Sequence, residues 1–137
     1  FGGRIRYERD LPEDIRDIQI PSFTLQPLVE NAVVHGLESK IGQGTVHISV
    51  ENSENTLFLR VKDDGIGISE EQVEQLNEEF AHGSANAVSR KRGGIALRNV
   101  NSRIRLMFGE NYGLRIFSAK GIGTECCVTL PLLLQEE

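Results

Sequence analysis

Several short stretches carry side chains that could do more than fill a core. In LVENAVVHGLE, residues 28–38, an otherwise apolar run holds Glu30, Asn31 and His35. On an α-helix Pro27, Asn31 and His35 stand four apart and share a face, with Glu30 about 100° away from Asn31. If that face lines a pocket, the Asn31 amide oxygen is a hard ligand suited to Mg²⁺, which takes few protein ligands and keeps water and phosphate oxygens as the rest. His35 could then donate to a phosphate. If the face points inward, both are buried polar groups bonded to backbone.

The second stretch is VKDDGIGIS, residues 61–69. Two glycines one residue apart let the backbone turn sharply and approach a ligand, and a carboxylate at a strand end can accept a hydrogen bond from an exocyclic amine. Asp63 is the candidate acceptor, with Gly65 and Gly67 shaping the turn. By itself the pattern is equally a strand-to-helix turn that uses Asp and Gly for their turn propensities. A calcium loop starting at Asp63 fails, because Gly65 and Gly67 occupy ligand places and Ile68 stands where the sharp-turn glycine belongs. The third stretch, RKRGGIALRNV, residues 90–100, places a glycine pair at a helix start. Free N–H groups there can hold phosphate, with Arg90, Lys91 and Arg92 adding charge, or the run is a hinge beside solvated basic residues. No G-x-x-x-x-G-K-[ST] sequence occurs, which excludes a P-loop. The last stretch, GIGTECCVTLP from Gly121, reads as a hairpin turn.

These residues need elements to hold them. Arg4 to Glu8 alternates as a short edge strand, followed by a polar connector to Pro21. Helical spacing of Leu25, Leu28, Val29 and Ala32 predicts a helix over 22–37, capped by Ser22 or Thr24, with Pro27 tolerated in or just after the first turn. Val46, Ile48 and Val50, then Leu57, Leu59 and Val61, alternate with polar residues on either side of Asn52–Asn55, predicting a hairpin of strands 45–52 and 56–62. A helix follows from Ser69 to Phe80 on Val73, Leu76 and Phe80. Ala81 to Gly94 has no period and suits a mobile lid. Ile95, Leu97, Val100, Ile104 and Met107 predict a helix over 95–108 ended by Gly109. Strands 113–119 and 124–131 form a second hairpin, and Gln135 to Glu137 fray. The expectation is one domain over 1–137 in the α+β class: a two-layer α/β sandwich whose sheet is covered on one face by helices.

The 137 residues suffice for one shared core, and a net charge of −5 argues against a broad nucleic-acid footprint. No apolar run is long enough for a membrane span. Cys126 and Cys127 are neighbours in a strand, so they point to opposite faces and cannot easily pair. No Cys/His spacing supports zinc or a redox motif.

Taken in order, the four stretches resemble the ATP-binding domain of sensor histidine kinases, within the wider group of ATPases that includes DNA gyrase and Hsp90. The run IPSFTLQPLVENAVVHG is similar to the LytS-like and YesM-like subgroup, and the likeness extends from about Arg4 to Pro131. The resemblance implies a Bergerat-type fold with a mixed sheet. It also implies that VENAVVHG is the N box, with Asn31 as the Mg²⁺ ligand, and that DDGIG is the first glycine box, with Asp63 accepting from the adenine amino group and Gly65 and Gly67 shaping the pocket. GGIAL would be the second glycine box, putting Gly94 and Leu97 near the phosphates of ATP, and GIGT would bring Thr124 near adenine.

Two places depart from the family pattern. Arg92 and Ala96 stand where outer glycines of the second box are common, and no aromatic F box is evident in the lid. The related ATPases carry a water-activating glutamate four residues before the asparagine, where this chain has Pro27. Slow hydrolysis is therefore expected, with transfer of the γ-phosphate to a histidine on a separate dimerisation domain. Glu30 could orient a water or the acceptor imidazole as a base, or only support the helix. Residues 1–21 lack a phosphoacceptor helix, so the resemblance implies an excised catalytic piece of a homodimeric parent, cytoplasmic itself, with the parent attached to the membrane and a response regulator downstream. A free-standing ATPase, a serine-directed kinase and a degenerate nucleotide-binding module are the alternatives.

Overall fold

The computed structural model describes residues 5–11, 18–37, 42–82 and 95–134, and within these the side chains of 18, 35, 36, 95, 133 and 134 are excepted. The expected lid, Ala81 to Gly94, lies outside the described residues from 83 onward, as does the tail from Gln135. Ala81 and His82 extend the second helix instead.

Five strands form a mixed sheet in the order β1-β3-β4-β6-β5: β1 (Ile5–Asp10), β3 (Gly44–Ser53), β4 (Thr56–Asp63), β6 (Gly123–Pro131) and β5 (Gly113–Ala119). β1 runs parallel to β3 and every other pair is antiparallel. Alternation decides the faces. Val46, Leu57, Leu59, Val61, Ile116, Val128 and Leu130 are all at most 2% exposed and point to the helices. Arg60, Lys62, Glu125 and Arg115 alternate with inward-facing neighbours and lie on the other face. The β3–β4 hairpin closes through the two-residue turn Glu54–Asn55, both residues at positive φ (50° and 67°), the left-handed pair that matches strand twist. A small second sheet pairs β2 (Ile18–Gln19) with β7 (Leu133–Leu134). Two-residue strands carry no readable alternation, and β2 fell within the expected connector.

Among the described residues three α-helices pack on one face: α1 (Leu25–Asn31), α2 (Glu70–His82) and α3 (Ile95–Phe108). Ser69 caps α2 reciprocally with Gln72: the Gln72 N–H donates to Ser69 Oγ at 3.2 Å, and the Ser69 N–H to Gln72 Oε1 at 3.3 Å. Gly109, at φ +110°, ends α3 with its N–H on the Arg105 carbonyl at 2.9 Å. Leu97, Val100 and Ile104 of α3 are buried as expected, whereas Met107 is 58% exposed and does not belong to the core. β5 is an edge strand, yet its outer rim is occupied. Asn77 of α2 accepts from the Ile116 N–H at 2.7 Å and donates to its carbonyl at 2.9 Å, and Asn101 of α3 accepts from the Leu114 N–H at 2.9 Å. Side-chain amides thus replace a neighbouring strand and blunt that edge.

The first helix departs most from expectation. Residues 22–24 are a turn, and helix begins at Leu25, placing Pro27 in the first turn where its missing N–H leaves no bond unmade. Thr24 makes no cap bond; its side chain is fully buried with Oγ1 unpartnered in the structure. After Asn31 the helix widens into a π-helical segment, Ala32–Leu37. Cys126 faces the core and Cys127 the opposite face beside Arg60; burial pushes both thiols up, and neither is in a disulfide.

Candidate functional site

Asp63 is the last residue of β4 and sits in the inward row, 3% exposed. Its Oδ1 accepts the Gly65 N–H at 2.8 Å, folding the chain back over the strand end. Asp64 ties the same turn to β3: its Oδ1 accepts the Thr45 N–H at 2.8 Å, and its own N–H donates to the Thr45 carbonyl at 3.3 Å. Two glycines make the rest of the turn possible. Gly67 has φ +71°, and a Cβ there would meet the Ala119 carbonyl oxygen at 2.1 Å. Gly123, opening β6, has φ +142°, and a Cβ would meet the Asp63 carbonyl oxygen at 2.0 Å. Backbone lies directly on backbone at both points, closed further by the Gly121 N–H donating to the Ile66 carbonyl at 2.7 Å.

Thr124 is the register partner of Asp63 across the β4–β6 ladder, so the two side chains share a face as close neighbours. Ser118 of β5 is next in the row, opposite Thr124. Its Oγ contacts Thr124 Oγ1 at 2.8 Å, donates to the Gly123 carbonyl at 2.8 Å and accepts the Ile68 N–H at 2.9 Å. Asp63, Gly65, Gly67 and Thr124, named from the sequence, are therefore brought together, and Gly123 and Ser118 join them. The second of these had no local signal, since its place depends on hairpin register.

Asn31 closes α1 and is half-buried. The next N–H, of Ala32, reaches both the Leu28 and Val29 carbonyls, and the π-helical segment then crosses over β3, β4 and β6. Leu37 at its end fills the space a side chain at Gly44 would need, with a methyl 2.6 Å from the Cβ position. Such widened turns concentrate at functional sites. His35 lies on this segment, and its side chain is outside the described residues. Glu30 goes elsewhere. It is exposed, its Oε1 accepts from Gln26 Nε2 at 2.9 Å, and with Pro27, Ala96, Asn99 and Arg103 it lines a groove of about 360 Å³ between α1 and α3. Pro27 also lines this groove, and Asn31, one helical turn further on, is not among its lining residues.

Of the second glycine pair, Arg92 and Gly94 lie outside the described residues. Leu97 is 1% exposed, in the core, so its side chain is a packing group. Beside it, Arg98 forms a buried ion pair with Glu79, Nε and Nη2 lying 2.6 and 2.5 Å from Oε2, which ties the start of α3 to α2.

The donor chemistry fits a nucleotide-borne metal better than a protein-caged one. Among the described residues no cluster of three His, Cys, Asp or Glu side chains could hold an ion. One amide oxygen, from Asn31, suits Mg²⁺ that arrives with phosphate and water ligands.

A family model described as histidine kinase-, DNA gyrase B- and HSP90-like ATPase matches residues 17–134. Sensor histidine kinase YesM of Bacillus subtilis is 31% identical over 131 residues, covering 96% of this chain and 20% of that protein. Sensor histidine kinase YpdA of Escherichia coli is 34% identical over 131 residues, covering 96% and 21%. Sensor protein LytS of Bacillus cereus is 34% identical over 138 residues, covering 100% and 22%. The chain thus spans about a fifth of the length of these relatives. Among solved structures, the catalytic domain of histidine kinase ThkA superposes with a TM-score of 0.66 at 16% identity, over 93% of this chain and 78% of that one. A blue-light activated histidine kinase of Erythrobacter litoralis gives 0.59 at 20% identity, over 95% and 36%. At these identities the structural likeness speaks to the fold.

Proposed function

Given that the chain belongs to the histidine kinase-, DNA gyrase B- and HSP90-like ATPases, in the LytS/YesM-like subgroup of sensor histidine kinases, we propose that it binds Mg-ATP and passes the γ-phosphoryl group to a histidine on a separate dimerisation domain. The observation that carries this reading is the Asp63 carboxylate, buried at the end of β4 beside Thr124 and held by a turn that tolerates no side chain at Gly67 or Gly123. A buried acceptor in so fixed a place suits the exocyclic amine of adenine.

In this account Asn31 supplies the protein oxygen to Mg²⁺, and His35 and the basic run around Arg92 and Gly94 serve the phosphates. When bound, Mg²⁺ neutralises charge on the phosphate oxygens as the group transfers. The bond from the γ-phosphorus to the bridging oxygen breaks, ADP leaves, and a bond to an imidazole nitrogen forms as that ring gives up a proton. Glu30 lines the α1–α3 groove with Pro27, so an effect on an acceptor imidazole brought to that groove suits it better than one on the nucleotide. Pro27 in place of a carboxylate also favours transfer over hydrolysis. The parent would be a membrane-attached homodimer signalling to a response regulator.

The experiment is phosphotransfer in trans: this chain, radiolabelled ATP and Mg²⁺, with a separately made dimerisation domain of the parent kinase. Acid-labile label on that domain, lost when its histidine is replaced, supports the proposal. Steady phosphate release with no labelled acceptor would favour a free-standing ATPase, and nucleotide binding with neither would favour a regulatory module.

A further inference from the structure

The row Asp63–Thr124–Ser118 crosses three strands on the helix-facing side of the sheet, and its hydrogen count is restrictive. A serine hydroxyl has one proton and two lone pairs. At Ser118 one lone pair accepts the Ile68 N–H at 2.9 Å, and the proton goes to the Gly123 carbonyl at 2.8 Å. A carbonyl cannot donate and a backbone N–H cannot accept, so the remaining lone pair is all that Ser118 has for its 2.8 Å contact with Thr124 Oγ1. The Thr124 hydroxyl must be the donor in that contact. Its proton is spent within the sheet, and what it can turn toward a ligand is a lone pair.

Resting on the nucleotide-site reading above, we infer that Ser118 is a specificity-determining positioning residue, which holds Thr124 as an acceptor so that Asp63 and Thr124 together present only acceptors to the base edge. A 6-aminopurine offers N–H groups to such a pair. A 6-oxopurine keeps an N1–H that one acceptor can take, but its carbonyl finds no donor there, and a ligand group left unpaired in a half-buried site is discriminated against. Ser118 itself touches no ligand in this scheme and acts by fixing the direction of one proton.

The test compares ATP with inosine triphosphate, which differs at the 6-position, by calorimetry with Mg²⁺ on wild type, Ser118→Ala, Ser118→Thr and Asp63→Ala, with thermal melts as folding controls. Ser118→Ala frees the Thr124 proton to point at a 6-oxo group. The preference for ATP should narrow about tenfold, chiefly by tighter inosine triphosphate binding, and Ser118→Thr should restore it. Equal weakening of both nucleotides with an unchanged ratio would overturn the inference and leave Ser118 a structural brace. Should Ser118→Ala fail to fold, Thr124→Val decides: loss on the ATP side supports an acceptor at Thr124, and loss on the inosine triphosphate side contradicts it. ATP binding that ignores Asp63→Ala, or is absent from wild type, would overturn the nucleotide-site reading itself and this inference with it.

Discussion

The turn after β4 is fastened by backbone lying on backbone, whereas Asn31 stands at the end of α1, where the helix widens into a π-helical segment seated on side chains. In the turn, Gly67 and Gly123 approach carbonyl oxygens so closely that no Cβ fits, and Asp63, Asp64 and Ser118 bond main-chain N–H groups around them. On the helix, Ala32 shares its N–H between two carbonyls, and Leu37 settles against Gly44. The difference suits the two tasks proposed for these regions. Recognising a flat, rigid base requires acceptors at fixed points. Holding a metal that brings its own phosphate and water ligands requires one oxygen in roughly the right place.

The contrast can be broken most forcefully at Gly123. Replacing it with Ala should cost on the order of 3 kcal/mol of stability, because positive φ and a blocked carbonyl act together. Gly121→Ala, also at positive φ (+81°) but with nothing within 4 Å, should cost only about 1 kcal/mol. Urea denaturation of the two variants measures both, and equal losses would remove the close-approach argument. Asp63→Ala should next lower ATP affinity by about 1.5–3 kcal/mol in calorimetry. Asn31→Ala should abolish the Mg²⁺ dependence of nucleotide binding, worth about 1.5 kcal/mol, and leave the melting midpoint nearly unchanged. A persisting Mg²⁺ dependence would place the metal elsewhere. The smallest effect belongs to Glu30→Gln, which should leave ATP affinity within about 0.5 kcal/mol, since that carboxylate faces the α1–α3 groove. A large loss would bring Glu30 back to the nucleotide.

How far the sequence could be read depended on the range of the forces involved. Period-two alternation marked β3, β4, β5 and β6 to within a residue or so of their observed ends, and the cap at Ser69 and stop at Gly109 bounded α2 and α3, because each of these signals is local. Residues 32–37 carry the spacing of an α-helix but wind as a π-helical segment, because Ala, Val and Leu at those spacings satisfy either winding. The groove between α1 and α3 that Glu30 and Pro27 line has no local signal, because it arises from the packing of residues far apart in the chain. Met107 keeps the apolar spacing of α3 yet is exposed, so spacing alone does not tell a core position from a surface one. At the site, the residue types of Asp63 and Gly67 pointed to a turn at the strand end, and Thr124 entered only through the family resemblance. Ser118 did not, because its role arises from cross-strand register between residues far apart in the chain.

The most direct test of the nucleotide site is a calorimetric titration of ATP against GTP, with Mg²⁺, into the wild-type chain and Asp63→Ala. The account predicts that wild type binds ATP in clear preference to GTP and that Asp63→Ala loses this preference while remaining folded. A folded wild-type chain that binds neither nucleotide, or an Asp63→Ala variant that binds ATP as well as wild type, would contradict it.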